Sequence, residues 1–215
     1  MKTLIALLFA LSLYLLPYPT HSTFNPIRLR TAVDTPTSAD SPVLDTDGDE
    51  LRPGRTYEII AAPSDSLIWP PGSSLKLESL DSASKCPSDV LISLDATPIT
   101  ITPADPSASV VSPSTFVSFK FDLPTNKLCV DHLYWEMREG PYSGQVFVKA
   151  GEFVSNQSNQ FKIEVEPGLN GYRLTYCPFG TDECNNLGGQ LDLETRVIRL
   201  GLNQFPFVVV FKNTS

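Results

Sequence analysis

Few side chains in this chain are suited to chemistry. His132 follows Asp131 directly, and the other histidine, His21, lies in an apolar N-terminal segment. An imidazole works as a general base when a carboxylate orients it and a nucleophile lies within reach, and such partners meet in space rather than in adjacent positions. Trp135 just beyond suggests a strand edge for His132. No catalytic residue is expected, and the chain is not read as an enzyme. A second cluster, Asp45, Asp47, Asp49 and Glu50 around Gly48, carries calcium-type oxygens. An EF-hand loop needs glycine at its sixth position and a bidentate glutamate at its twelfth. Here Gly48 stands fourth from Asp45. Glycine tolerates positive φ and Asp side chains bond nearby backbone N–H groups, so the cluster is read as a hairpin turn. No metal and no cofactor are expected.

The remaining reactive groups are Cys86, Cys129, Cys177 and Cys184. A zinc site needs tighter Cys/His clusters than these spacings offer. Four cysteines allow three pairings. Cys177 and Cys184 are close in sequence, with Gly180 and Asp182 turning the chain between them. The expected bridges are Cys177–Cys184 and Cys86–Cys129.

Bridges require an oxidising compartment, and the N-terminus supplies the route. Lys2 gives a positive start, residues 4–16 are almost wholly apolar, and Thr20 and Ser22 are small residues at a cleavage position. This is the pattern of a secretory signal peptide over residues 1–22. No later stretch approaches 18 apolar residues, the length that spans a bilayer, so no membrane partner is expected of the mature form. The formal net charge is −8. That sign disfavours nucleic acid and anionic membrane surfaces, both of which need a basic footprint.

Period-two alternation runs through the rest of the chain. Leu75 and Leu77 alternate with Lys76 and Glu78; Ile99 and Ile101 with Thr100 and Thr102; Val117, Phe119 and Phe121 with Ser118 and Lys120. Phe161, Ile163 and Val165 repeat the pattern, as do Tyr172, Leu174 and Tyr176. Residues 146–148 and 207–211 are more continuously apolar and are expected deeper. No window after the signal shows a helical period. The fold class is therefore all-β, with about a dozen short strands in a sandwich or a barrel.

The run at 43–59, VLDTDGDELRPGRTYEI, reads as a strand, an acidic turn and a second strand, and it resembles the opening signature of plant Kunitz-type (soybean trypsin inhibitor-like) proteins. The segments PITITPADP (98–106), TNKLCV (125–130), VKAGEFVS (148–155), SNQFKIEV (158–165) and YCPFGTDEC (176–184) are similar to the vacuolar storage proteins of that family. The resemblance implies a β-trefoil, three copies of a four-stranded unit about a pseudo-threefold axis. Tyr57-Glu58-Ile59, Tyr134-Trp135-Glu136 and Tyr172-Arg173-Leu174 are the candidate unit starts. Asn25-Pro26-Ile27-Arg28-Leu29 resembles the vacuolar sorting signal of storage-protein precursors, with Ile27 and Leu29 as an apolar hook for a sorting receptor. The chain then divides into a signal peptide (1–22), a pro-segment (23–38) and a Kunitz-type domain (39–215), and its expected destination is the vacuole by way of the secretory pathway.

The implied function is storage, with serine protease (trypsin-like) inhibition as a family activity. In the family the protease-binding loop projects between the fourth and fifth strands, here assigned to 91–98. Its candidate residues are Ser93, Leu94, Asp95, Ala96, Thr97 and Pro98. Trypsin wants Lys or Arg against its buried Asp. Neither is present in this loop, and Leu94 is the one large apolar side chain that could enter a chymotrypsin-like slot. The alternatives are a defensive inhibitor with a non-basic or displaced reactive site and, more distantly, a sugar-binding trefoil, which would need an aromatic and Asp/Asn pocket in each unit. Asn156, in Asn156-Gln157-Ser158, is the N-glycosylation candidate. The mature protein is expected to be a monomer whose partner, if any, is a protease.

Overall fold

A computed structural model describes residues 41–63, 68–124, 129–179, 181 and 183–215. The signal peptide, the pro-segment with Asn25–Leu29, and the turn residues Gly180 and Asp182 lie outside the described residues.

Among the described residues twelve strands follow one another: β1 (Thr56–Ala61), β2 (Ser74–Glu78), β3 (Asp89–Ser93), β4 (Ile99–Pro103), β5 (Phe116–Phe121), β6 (Tyr134–Glu139), β7 (Val146–Gly151), β8 (Phe161–Val165), β9 (Tyr172–Tyr176), β10 (Asn185–Leu191), β11 (Ile198–Leu202) and β12 (Val209–Asn213). One helical turn, α1 (Ser155–Ser158), interrupts them. Six strands close a barrel by antiparallel pairing in the order β1, β4, β5, β8, β9, β12 and back to β1. The hairpins β2–β3, β6–β7 and β10–β11 cap one end, and β3, β7 and β11 pair with one another in a triangle.

The register repeats three times. Tyr57 faces Ile99, Val117 faces Phe161, and Tyr172 faces Val209. Three residues further on, Ile60 meets Ser74, Lys120 meets Tyr134, and Thr175 meets Asn186. This is a β-trefoil with units starting at β1, β5 and β9. The expected unit starts need one correction. Tyr57 and Tyr172 are equivalent, but their partner is Val117, while Tyr134 lies on β6, the second strand of its unit. An aromatic identity suggested the repeat there; the hydrogen-bond ladder places it one strand earlier.

The barrel core consists of the inward half of each alternating strand. Ile59, Phe119 and Leu174 form one equivalent layer, and Ile101, Ile163 and Phe211 another, all 1% exposed or less. Trp135, from β6, lies against Phe119 (ring centroids 4.4 Å apart) and edge-on to Phe161 (5.7 Å).

At the cap the threefold backbone carries unlike chemistry. Asp89, Phe147 and Arg199 occupy equivalent ladder positions. The Arg199 guanidinium sits 4.1 Å from the Phe147 ring centroid. Its Nη1 donates to Asp192 Oδ2 at 2.9 Å, and Nη2 lies 2.8 Å from Asp89 Oδ1 as a charge contact not aligned for a hydrogen bond. Lys149 Nζ approaches Asp89 Oδ1 at 3.4 Å, and the Leu80 N–H donates to its Oδ2. Asp89, Asp192 and Arg199 are all buried. This network therefore ties the first, second and third units together.

Burial would push the Asp192 carboxyl up. The Arg199 hydrogen bond, the N–H groups of Glu194 and Thr195 and the Arg199 charge outweigh it and hold the carboxyl below its ordinary 3.8. A depressed folded-state value contributes stability above the ordinary value and loses it as pH falls through the depressed one. Melting temperature should drop on acidification below about pH 4. Asp192→Asn should flatten that acid limb; an unchanged limb would assign the acid sensitivity to other carboxylates.

Two disulfides complete the frame. Cys86–Cys129 joins the β2–β3 connection to the β5–β6 connection across 43 residues, and Cys177–Cys184 closes the β9–β10 loop across seven. Loop-closure entropy gives the longer ring roughly 4 kcal/mol and the shorter roughly 2.5.

Candidate protease-contact loops

Residues 93–98 join β3 to β4 and are clamped at both ends. The Ser74 hydroxyl donates to Ser93 O at 3.1 Å. Thr97 is buried; its N–H donates to Leu75 O at 2.9 Å and its Oγ1 accepts from the Leu77 N–H at 3.0 Å. Between the clamps Leu94 is 71% exposed. Asp95 Oδ2 lies 3.6 Å from Lys76 Nζ, and its N–H meets Ser93 Oγ. Ala96 and Pro98 are half-buried.

The strand count moves the fourth connection. Residues 43–45 make only isolated bridges, Leu44 with Glu50 and Asp45 with Phe211, and do not form a barrel strand. Counting that segment as the first strand placed the fourth-to-fifth connection at 91–98. In the structure it is 104–115, joining β4 to β5. Pro103 and Val111 are buried, and residues 104–107 arch out between them. Asp105 organises the arch: its Oδ1 accepts the Ser107 hydroxyl at 2.7 Å and the Ser107 N–H at 2.9 Å. Those two bonds, the hydroxyl first, lower the Asp105 carboxyl from its ordinary value. On the return limb Ser114 takes a positive φ of 60°, with its N–H on Ile163 O and its hydroxyl on Glu164.

The segment 43–51 supports this loop from inside. The Val43 N–H donates to Val111 O, the Val111 N–H to Leu51 O, and the Leu51 N–H to Val43 O, each at 2.8–2.9 Å. All three side chains are fully buried and plug the open end of the barrel. The acidic turn between them is backbone chemistry. Asp45 Oδ1 accepts the N–H groups of Asp47 and Asp49 at 2.9 Å, and Gly48 takes φ +84°.

Comparison with known proteins adds what geometry alone does not. The family model described as "Trypsin and protease inhibitor", of the legume Kunitz type, matches residues 43–213. The chain belongs to the Kunitz family. It is 54% identical to Sporamin B of Ipomoea batatas, with 100% of each chain covered, and 50% identical to Sporamin A of the same species, with 100% and 99% covered. Among solved structures it is similar to the Kunitz-type cysteine protease inhibitor PCPI-3 from potato, at 28% identity and TM-score 0.68, over 81% of this chain and 98% of that one.

In this Kunitz-family chain, two other singled-out residues sit in neither loop. His132 is on the surface, with Nε2 3.6 Å from Glu152 Oε1. Asn156 is exposed on α1, its carbonyl accepting the Gln160 amide, while the Ser158 hydroxyl of the same sequon is buried and accepts the Val154 N–H. The arch at 104–107 was missed by sequence reasoning. Its signal was present in ADPSASVVSPST, a Pro- and Ser-rich stretch between two alternating strands, and an extra strand at the count's start obscured it.

Proposed function

We propose that this chain is a vacuolar storage protein of the sporamin type, and that any protease it binds is not a trypsin-type enzyme. One observation carries the second half. The loop stretches 93–98 and 104–109, SLDATP and ADPSAS, contain no Lys or Arg. A trypsin pocket holds a buried Asp and discriminates by charge, and the acidic side chains here, Asp95 and Asp105, would be repelled. The storage half rests on the resemblance to sporamins along the whole chain. A closed barrel with a continuous core and two disulfides also suits a protein that must persist beside vacuolar proteases, since cleavage follows the population of opened states.

The test is a titration of the purified protein against trypsin, chymotrypsin, papain and pepsin. No stoichiometric inhibition of trypsin is expected; tight trypsin inhibition would overturn the assignment. A second reading, a defensive inhibitor with a displaced reactive site, is favoured by the preorganised arch at 104–107 and would appear as inhibition of another of these enzymes.

For delivery, the precursor is proposed to carry a signal peptide over 1–22 and a sorting arm whose Ile27 and Leu29 engage a receptor. Replacing both with alanine should divert the protein to the secreted fraction. Unchanged vacuolar accumulation would defeat this assignment.

A further inference from the structure

We propose that Leu94 anchors this chain on a serine protease whose specificity pocket is apolar, of the chymotrypsin type. The surrounding contact would come from an apolar strip formed by Ile92, Ile198, Leu191 and Trp69. This rests on the protease-binding part of the proposed function and locates it away from the arch at 104–107.

The first support is preorganisation. Only three residues separate Ser93 from Thr97, and both of these are held by the backbone and hydroxyls of β2. A side chain displayed on such a short, clamped loop loses little freedom on docking. Leu94 is 71% exposed, more than any other aliphatic side chain among the described residues. The Lys76–Asp95 contact offsets the one charge beside it.

The second support is continuity of the apolar surface. Leu191 stands opposite Ile198 across β10 and β11, and both are partly solvent-exposed, at 46% and 40%. Arg199 faces Leu91 across β11 and β3, so the same register sets Ile198 beside Ile92, a partly buried residue on the rim of the core two positions before Leu94. Trp69 extends the strip. A Cβ on Gly189 would collide with the edge of its ring and touch Ile198 Cγ2, so the partly buried indole abuts the hairpin at Gly189 near Ile198. Ile68, 59% exposed, follows in the same turn, whose Ser73 side chain and N–H are fixed on Pro70 O. A projecting aliphatic side chain with apolar surface to one side suits an anchor with a water-excluding rim. It matches an uncharged specificity pocket and opposes one that carries a carboxylate.

The experiment uses the mature protein against α-chymotrypsin and trypsin, reading inhibition constants and the melting temperature of each variant. Chymotrypsin should be inhibited and trypsin not. Leu94→Asp should weaken chymotrypsin inhibition by roughly 100-fold or more. Leu94→Lys should transfer inhibition to trypsin. Because Leu94 is solvent-exposed, both variants should melt with the parent. Asp105→Ala, in the arch, should leave chymotrypsin inhibition within about threefold. Full inhibition by Leu94→Asp, or its loss in Asp105→Ala alone, would overturn the proposal while leaving a non-tryptic inhibitor standing. Absence of chymotrypsin inhibition at protein concentrations up to about 10 µM, which corresponds to only about −7 kcal/mol, would overturn it as well.

Discussion

Replacing Arg199 with alanine is expected to lower stability by about 3–5 kcal/mol, because it strands two buried carboxylates, Asp89 and Asp192, without their cation. For a domain of this size that corresponds to a fall in melting temperature of roughly 6–20 °C. The loss should exceed that of any surface ion pair here, such as Lys212–Glu58, where the lysine is 55% exposed and the pair is worth about 1 kcal/mol at most. The contrast lies in what the removed charge leaves behind. Lys212→Ala leaves Glu58 near water, whereas Arg199→Ala leaves Asp89 and Asp192 under the triangle of β3, β7 and β11. Lys149, 3.4 Å from Asp89, compensates in part and sets the lower end of the range. A combined Asp89→Asn, Asp192→Asn, Arg199→Met variant should recover most of the loss, since replacing a whole buried network by groups of similar volume is often neutral. Urea unfolding of the two variants checks both. If Arg199→Ala is as stable as the parent, the cluster is not the tie between units.

The second large effect is at Trp135. Trp135→Ala is expected to cost about 3–5 kcal/mol, through lost transfer energy and an uncollapsed cavity between Phe119, Phe121 and Phe161. Trp135→Phe should cost much less, roughly 1–2 kcal/mol. The indole Nε1 is buried with no hydrogen-bond partner among the described residues. Losing that N–H therefore removes no bond, and phenylalanine even relieves an unsatisfied donor. If Trp135→Phe proves as damaging as alanine, an unseen partner for the indole must exist. Denaturant midpoints at constant m-value would measure both substitutions.

Most barrel strands were legible in the sequence, as were β2 and β7 of the cap, whereas β3, β10 and β11 were not. β4, β5, β8 and β9 alternate apolar and polar side chains because one face lines the core, even where the polar residue, Ser118 or Thr175, is itself buried. β3 opens with three consecutive buried residues, Asp89, Val90 and Leu91, and shows no period. β10 reads NNLGGQL, with little side chain to pattern, because Gly189 must admit the Trp69 ring. β11 interleaves buried Arg199 with buried Leu200. Its burial rests on an ion pair that no local window contains. Of the candidate loops, 93–98 was found by composition. The arch at 104–107 escaped because residues 43–45 resemble a strand but spend their hydrogen bonds on Val111, Phe211 and the acidic turn. The two disulfides were approachable from spacing alone, and the structure joins Cys86 to Cys129 and Cys177 to Cys184.

The closed ring of six strands and the triangle above it have a consequence for crowding. Each of the twelve strands has two or more paired neighbours. No strand has a second edge left wholly unpaired, although several are held there by a single residue pair, as β2 is by β1 and β6 by β5; a wholly free edge is the usual template on which one copy recruits another into an intermolecular sheet. A reserve protein must accumulate to very high local concentration without turning into fibre. A fold that leaves no strand with a wholly free edge limits that route by topology. Among the described residues the three most exposed large apolar side chains, Leu94, Phe179 and Phe205, lie on connecting segments, where no ladder can extend from them.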